Sequence, residues 1–123
     1  MARVRLSAMA RADIRAILAA SQTTWGVAAA NRYADTLASL VQTIAGAPTG
    51  PLTRDRSDLL PGLRSAHTRV ARGTRGVRAP VHVVFFRVAP DVIEVVRILH
   101  ERMDVQTQLR ASAARTRRAR PRR

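Results

Sequence analysis

The sequence predicts an α+β domain, built as an N-terminal strand, a helical hairpin and then an antiparallel β-sheet of three further strands. Two apolar runs crowded with β-branched and aromatic residues, 81–88 (VHVVFFRV) and 92–100 (VIEVVRILH), are separated only by Ala89-Pro90-Asp91. That gap allows an antiparallel hairpin and is far too short for a parallel crossover. Upstream, two stretches with apolar residues at helical spacing meet across one glycine, Gly26. Helices grouped together and strands grouped together give an α+β order rather than an alternating one.

Residues 3–6, with Val4 and Leu6 on one face, read as an edge strand, and Ser7 suits the N-cap of the next helix. From Ala8 to Trp25, Ile14, Ile17, Leu18, Ser21 and Trp25 share one helical face. Gly26 fits the positive-φ residue that ends a helix. Over 27–45, Tyr33, Leu37, Leu40, Val41 and Ile44 form a second stripe, so the two helices make a hairpin with one apolar face. Trp25 and Tyr33 are expected in the core.

The Pro-, Gly- and Asp-rich segment 46–62 reads as a loop with at most one short helical turn. Residues 63–70 are expected to form a strand. The following basic loop, with Arg69, Arg72, Arg75 and Arg78 and no acid, makes a positive rim.

Regular alternation puts apolar side chains on both faces of the hairpin. Val81, Val83 and Phe85 oppose Val84, Phe86 and Val88, while Val92, Val96 and Ile98 oppose Ile93, Val95 and Leu99. The helical hairpin covers one face only. Either residues 101–109 fold back over the other, or a segment of a partner protein does.

With 123 residues the chain is one domain, able to bury roughly 65% of its unfolded surface. It has no Cys, which excludes disulfides, thiolate metal sites and cysteine nucleophiles. No apolar run approaches the roughly 20 residues of a membrane span, and the N-terminus lacks a signal-peptide core, so a cytoplasmic protein without membrane contact is expected. The net charge of +14 comes from 22 Arg and no Lys, a skew that fits a GC-rich coding sequence or a use for guanidinium groups. Residues 1–109 carry 15 of these Arg against all 8 acids, and the other 7 lie in 110–123. The expected division is therefore a single domain over 1–109 and a disordered Arg-rich tail over 110–123. That tail is either solvated or a nonspecific nucleic-acid arm. No aromatic residue is interleaved in it to stack on bases.

An ordered set of motifs resembles the ParE branch of the RelE/ParE toxins of type II toxin-antitoxin modules. It comprises Ala12-Asp13-Ile14 with Ile17, Trp25-Gly26, Tyr33 with Leu37, Pro48 with Gly50, and Pro61-Gly62-Leu63-Arg64-Ser65. It continues through His82-Val83-Val84-Phe85-Phe86-Arg87-Val88 and closes with Ile93-Glu94-Val95-Val96-Arg97-Ile98-Leu99-His100-Glu101-Arg102-Met103-Asp104 and Leu109. The resemblance implies a RelE/ParE-like fold and a growth-inhibiting toxin neutralised by a cognate antitoxin whose extended C-terminal part wraps it. The ParE branch is similar in inhibiting DNA gyrase by binding, through the gyrase A subunit. The RelE branch instead cuts ribosome-bound mRNA. The chain departs from the pattern in its basic loop 69–78, its tail after Leu109, and Phe86 where Tyr is common.

Both activities stay open. A nuclease needs a base, a leaving-group acid and cations on the phosphate, for which the candidates are Arg64, Arg97 and His100 with Glu94 or Glu101. Three residues separate Arg97 from His100, which places them on opposite faces of a regular strand, although a bulge can change that. The RelE-like nucleases also resemble one another in a Lys or C-terminal aromatic that this chain lacks. In the binding alternative there is no catalytic residue, and Arg64, Ser65, Arg97, His100, Arg102, Met103 and Asp104 are the candidate interface with target or antitoxin. Arg64 and Arg97 can also be structural, paired with Glu94, Glu101 or Asp104, and His100 can bond backbone or Asp104. His67 and His82 are isolated in sequence, without metal-ligand spacing, and no cofactor is implied.

Overall fold

The computed structural model describes residues 3–71 and 81–111. The basic loop 72–80 and tail residues 112–123 lie outside the described residues. Strand β1 (Arg3–Leu6) leads into helices α1 (Ala8–Trp25) and α2 (Val27–Gly46), followed by β2 (Arg54–Asp55), β3 (Leu63–His67), β4 (His82–Val88) and β5 (Val92–His100). A third helix, α3, occupies 105–111. The strand order is β1-β5-β4-β3-β2.

Ser7 caps α1 by accepting from Ala10 N, and its own hydroxyl donates to the Val96 carbonyl, which fixes the helix start against the sheet. Gly26 turns α1 into α2 at φ 94° and ψ 169°, a conformation open essentially to glycine. The stripe of α2 buries Tyr33, Leu37, Leu40 and Ile44 against Val84, Phe86, Ile93, Val95 and Ile98 of the sheet.

The three later strands β3, β4 and β5 pair antiparallel as expected, and β1 makes the sheet mixed by running parallel to β5, with the chain from α1 through β4 between them. Two expectations need correction. A two-residue strand, β2, pairs with β3 inside the segment expected as loop, since Arg56 N donating to Leu63 O draws that segment against the sheet. Strand β3 stops at His67, where Thr68–Val70 form a 3-10 turn: Thr68 Oγ1 bonds both the amide and the carbonyl of His82 and bends the chain there.

A β-bulge changes which apolar residues share a face. Phe85 stands opposite Arg97 and Phe86 opposite Val95, so Val96 has no partner residue. Ile93, Val95 and Ile98 consequently face the helices, whereas Val96 and Leu99 face away. Strict alternation had grouped Val96 with Ile98. One extra residue reverses the phase of everything after it.

The second face is covered from within the chain. Leu109 of α3 is 1% exposed and packs with Leu63, Phe85 and Leu99, flanked by Val105, Leu59 and Leu60. Residues 101–109 do fold back.

Trp25 is not core. It is 62% exposed, beside Val27 at 57%, because α1 packs on the core through Ile14, Ile17 and Leu18. Periodicity locates a helix face, not the point along it where the packing ends. Trp25→Ala is therefore expected to change stability by less than about 0.5 kcal/mol. The intrinsic fluorescence of this sole tryptophan should be that of a solvated indole; a blue-shifted emission would contradict the exposed position.

Candidate functional site

The candidate residues lie on β3, β5 and the segment leading to α3, and the fold separates them. Arg64 on β3 stands opposite Phe86 and so faces the helices. Its Nε donates to the Pro48 carbonyl at 3.0 Å and its Nη2 to Thr53 Oγ1 at 2.9 Å. This guanidinium clamps the loop between α2 and β2. Ser65, one residue on, is buried opposite Phe85 on the other face.

Arg97 is 7% exposed. Its Nε and Nη2 meet the two carboxylate oxygens of Asp13 at 2.7 and 2.9 Å, and Nη1 reaches the Gln108 carbonyl at 3.4 Å. Asp13 also accepts from Ile98 N at 2.9 Å. One carboxylate thus satisfies the strand edge left free where β1 ends and a fork-shaped cation above it. Arg97 pairs with neither Glu94, Glu101 nor Asp104 as expected, but with a helix residue 84 positions away.

His100 stands opposite His82, on the helix side, while Arg97 stands opposite Phe85. The bulge precedes both, so their separation across the sheet is retained. His100 Nδ1 accepts from Arg102 N at 3.0 Å, and Asp104 caps α3 through Thr107 N and Thr107 Oγ1. Those bonds hold the Asp104 carboxyl below the usual carboxylate range. Arg102 and Met103 are exposed, Met103 by 47%.

Sequence reasoning missed a corner in which all three histidines gather. His67 and His82 are not isolated. His67 Nδ1 accepts from Arg69 N, so Nε2 carries the proton given to Glu101 Oε2 at 2.6 Å, and this bond holds the Glu101 carboxyl low. The Tyr33 hydroxyl lies 2.5 Å from His82 Nδ1, and the His82 and His100 rings meet edge-on at 5.6 Å. Burial, and then the neighbouring His100 and His67, lower the His82 pKa to about 4, while burial raises that of Tyr33. The cross-strand partners place these residues together; their positions at 67, 82 and 100 carry no such signal. Among the described residues no group of three or more His, Cys, Asp or Glu could hold a metal ion.

A depressed histidine pKa implies acid lability. Above about pH 6.5 His82 is neutral folded and unfolded; between 6.5 and 4 the unfolded chain takes up the proton and the folded one resists it. Stability should fall across that window by about 1–2 kcal/mol, a figure discounted because the ring is partly solvated. Urea unfolding at pH 7, 6 and 5 should show the loss, and His82→Gln should flatten it.

These contacts define an α+β domain in which Arg64 and Arg97 are engaged in holding the fold. Residues 4–105 match the family model described as ParE toxin of type II toxin-antitoxin system, parDE, and the chain belongs to that family. It is 40% identical over 107 residues to Toxin ParE of Escherichia coli, covering 85% of this chain and 89% of that protein. It is 36% identical over 105 residues to Toxin ParE1 of Caulobacter vibrioides, covering 85% and 95%. A solved structure of the chromosomal ParDE TA system from P. aeruginosa shares the fold, with a TM-score of 0.61 at 22% identity over 81% of this chain and 96% of that one. The chain is the toxin component of a type II toxin-antitoxin system.

Proposed function

We propose that this toxin inhibits DNA gyrase by binding the gyrase A subunit, without chemistry of its own, and that a cognate antitoxin neutralises it. The observation that carries the reading is the fate of the candidate nuclease residues. Arg97 is locked to Asp13, Arg64 to Pro48 and Thr53, and His100 sits across the sheet from Arg97. Among the described residues, Arg64, Arg97 and His100 therefore do not converge on one place where a phosphate could sit. Membership of the ParE family and likeness to a ParDE system support the antitoxin partner. The exposed Arg102 and Met103, at the turn into α3, are the proposed contact with target or antitoxin, with Asp104 shaping that turn. Ser65 is buried and contributes through packing.

The site of action is the cytoplasm, and among the described residues no helix is long and apolar enough to cross a membrane. In this reading the toxin domain spans 1–109 and the tail 110–123 is dispensable for inhibition. Purified protein at micromolar concentration is expected to block gyrase supercoiling, and Arg102→Ala with Met103→Ala to lower that potency about tenfold or more, the scale of an interface anchor. Supercoiling untouched at that concentration would end the gyrase reading. Cut transcripts on expression, with intact DNA, would point instead to an mRNA endoribonuclease.

A further inference from the structure

The strand registers place a row of guanidinium groups across the face of the sheet turned away from α1 and α2. Arg5 on β1 stands opposite Glu94 on β5, Glu94 opposite Arg87 on β4, and Arg87 opposite Leu63 on β3. Arg56, bonded through its amide to Leu63, ends the row with its guanidinium 5.8 Å over the Phe85 ring. Four strand spacings make this row about 19 Å long. Arg3 flanks it on β1 and Arg54 on β2, because each shares the face of its neighbour two residues away or directly opposite. α3 covers the other end of this face, Leu63 within the row is buried with Leu59 and Leu60, and Arg3, Arg5, Arg54 and Arg87 are exposed.

The charges in the row are only partly neutralised. Glu94 bonds Arg5 at 2.8 Å with the Arg5 side chain still 64% exposed, and Arg56 lies 3.5 Å from Asp58. Arg3, Arg54 and Arg87 are exposed and make no ion pair among the described residues. Along the paired strand positions of the row, Glu94 is the one carboxylate among the described residues. Like charges gathered this closely repel one another, and a polyanion relieves that repulsion while releasing its own counterions.

We infer that this sheet face binds the phosphate backbone of duplex DNA, independently of sequence. A duplex fits better than a single strand because the face offers no aromatic platform: Phe85, Phe86 and Tyr33 are buried, and exposed Trp25 lies at the hairpin tip. The inference goes beyond the gyrase reading and does not depend on it, since the contact is with phosphates alone. It gives the toxin an affinity for DNA through the folded domain, separate from any contribution of the Arg-rich tail.

The test is fluorescence anisotropy of a labelled mixed-sequence duplex with the full chain, between about 50 and 300 mM salt, a range over which phosphate contacts dominate the change. Arg3→Ala/Arg5→Ala/Arg87→Ala should weaken binding about tenfold or more and lower the slope of log K against log salt by about 2 to 3, near 0.9 for each phosphate no longer neutralised. Arg11→Ala/Arg15→Ala/Arg32→Ala removes equal charge from the helices and should leave the slope within about 1 of wild type. If the sheet triple fails to fold, Arg3→Gln/Arg87→Gln keeps the Arg5–Glu94 pair and should lower the slope by about 2. Equal losses from the sheet and helix triples would overturn the proposal by making net charge the cause. Tighter binding of single-stranded RNA, or of polyglutamate, would overturn it in favour of those partners.

Discussion

Asp13→Ala is expected to destabilise the domain by about 3–5 kcal/mol, the cost of stranding a buried guanidinium. Arg97 is 7% exposed and loses both strong bonds when the carboxylate goes, and Ile98 N loses its acceptor at the same time. Arg97→Leu should cost a similar amount by stranding the carboxylate. In Asp13→Ala/Arg97→Leu neither charge remains to be stranded, so the double variant should lose distinctly less than the sum of its parts. Chemical denaturation of the four proteins measures this. Strict additivity would mean that the pair is not coupled, and a nuclease role for Arg97 would regain ground.

Leu109→Ala should cost about 2–5 kcal/mol, as for a leucine removed from a packed core. Leu109 is 1% exposed although it lies only 14 residues from the end of a chain whose last stretch is rich in arginine. It closes the cluster of Leu63, Phe85 and Leu99, so the variant should also bind more of a hydrophobic dye, reporting that α3 has loosened from the sheet. A Leu109→Ala protein as stable as wild type would return the covering of that face to a partner.

Elements whose signal is local could be read directly. The apolar stripes of α1 and α2, the Ser7 cap, the Gly26 turn and the Ala89-Pro90-Asp91 hairpin each depend on residues within one or two turns of each other, and each stands where the sequence placed it. The motif order from Asp13 to Leu109 placed the chain among RelE/ParE-like toxins, a relation that the family match carries independently.

Residue roles were less legible because they depend on neighbours far along the chain. Asp13 meets Arg97 across 84 positions and Tyr33 meets His82 across 49, so neither pairing leaves a trace in periodicity. The bulge at Val96 depends on the facing strand, and an alternation count along β5 alone cannot contain it. Trp25 sits on the right face of its helix yet is exposed. By itself the sequence determined β1, α1, α2, β4 and β5 and their order, since backbone preference and side-chain period act over a few residues. Only the tertiary structure decided the parallel seating of β1, the phase of β5 and which charges hold the fold together. Those outcomes depend on the spacing between strands and on the desolvation of groups that the chain brings together only when folded.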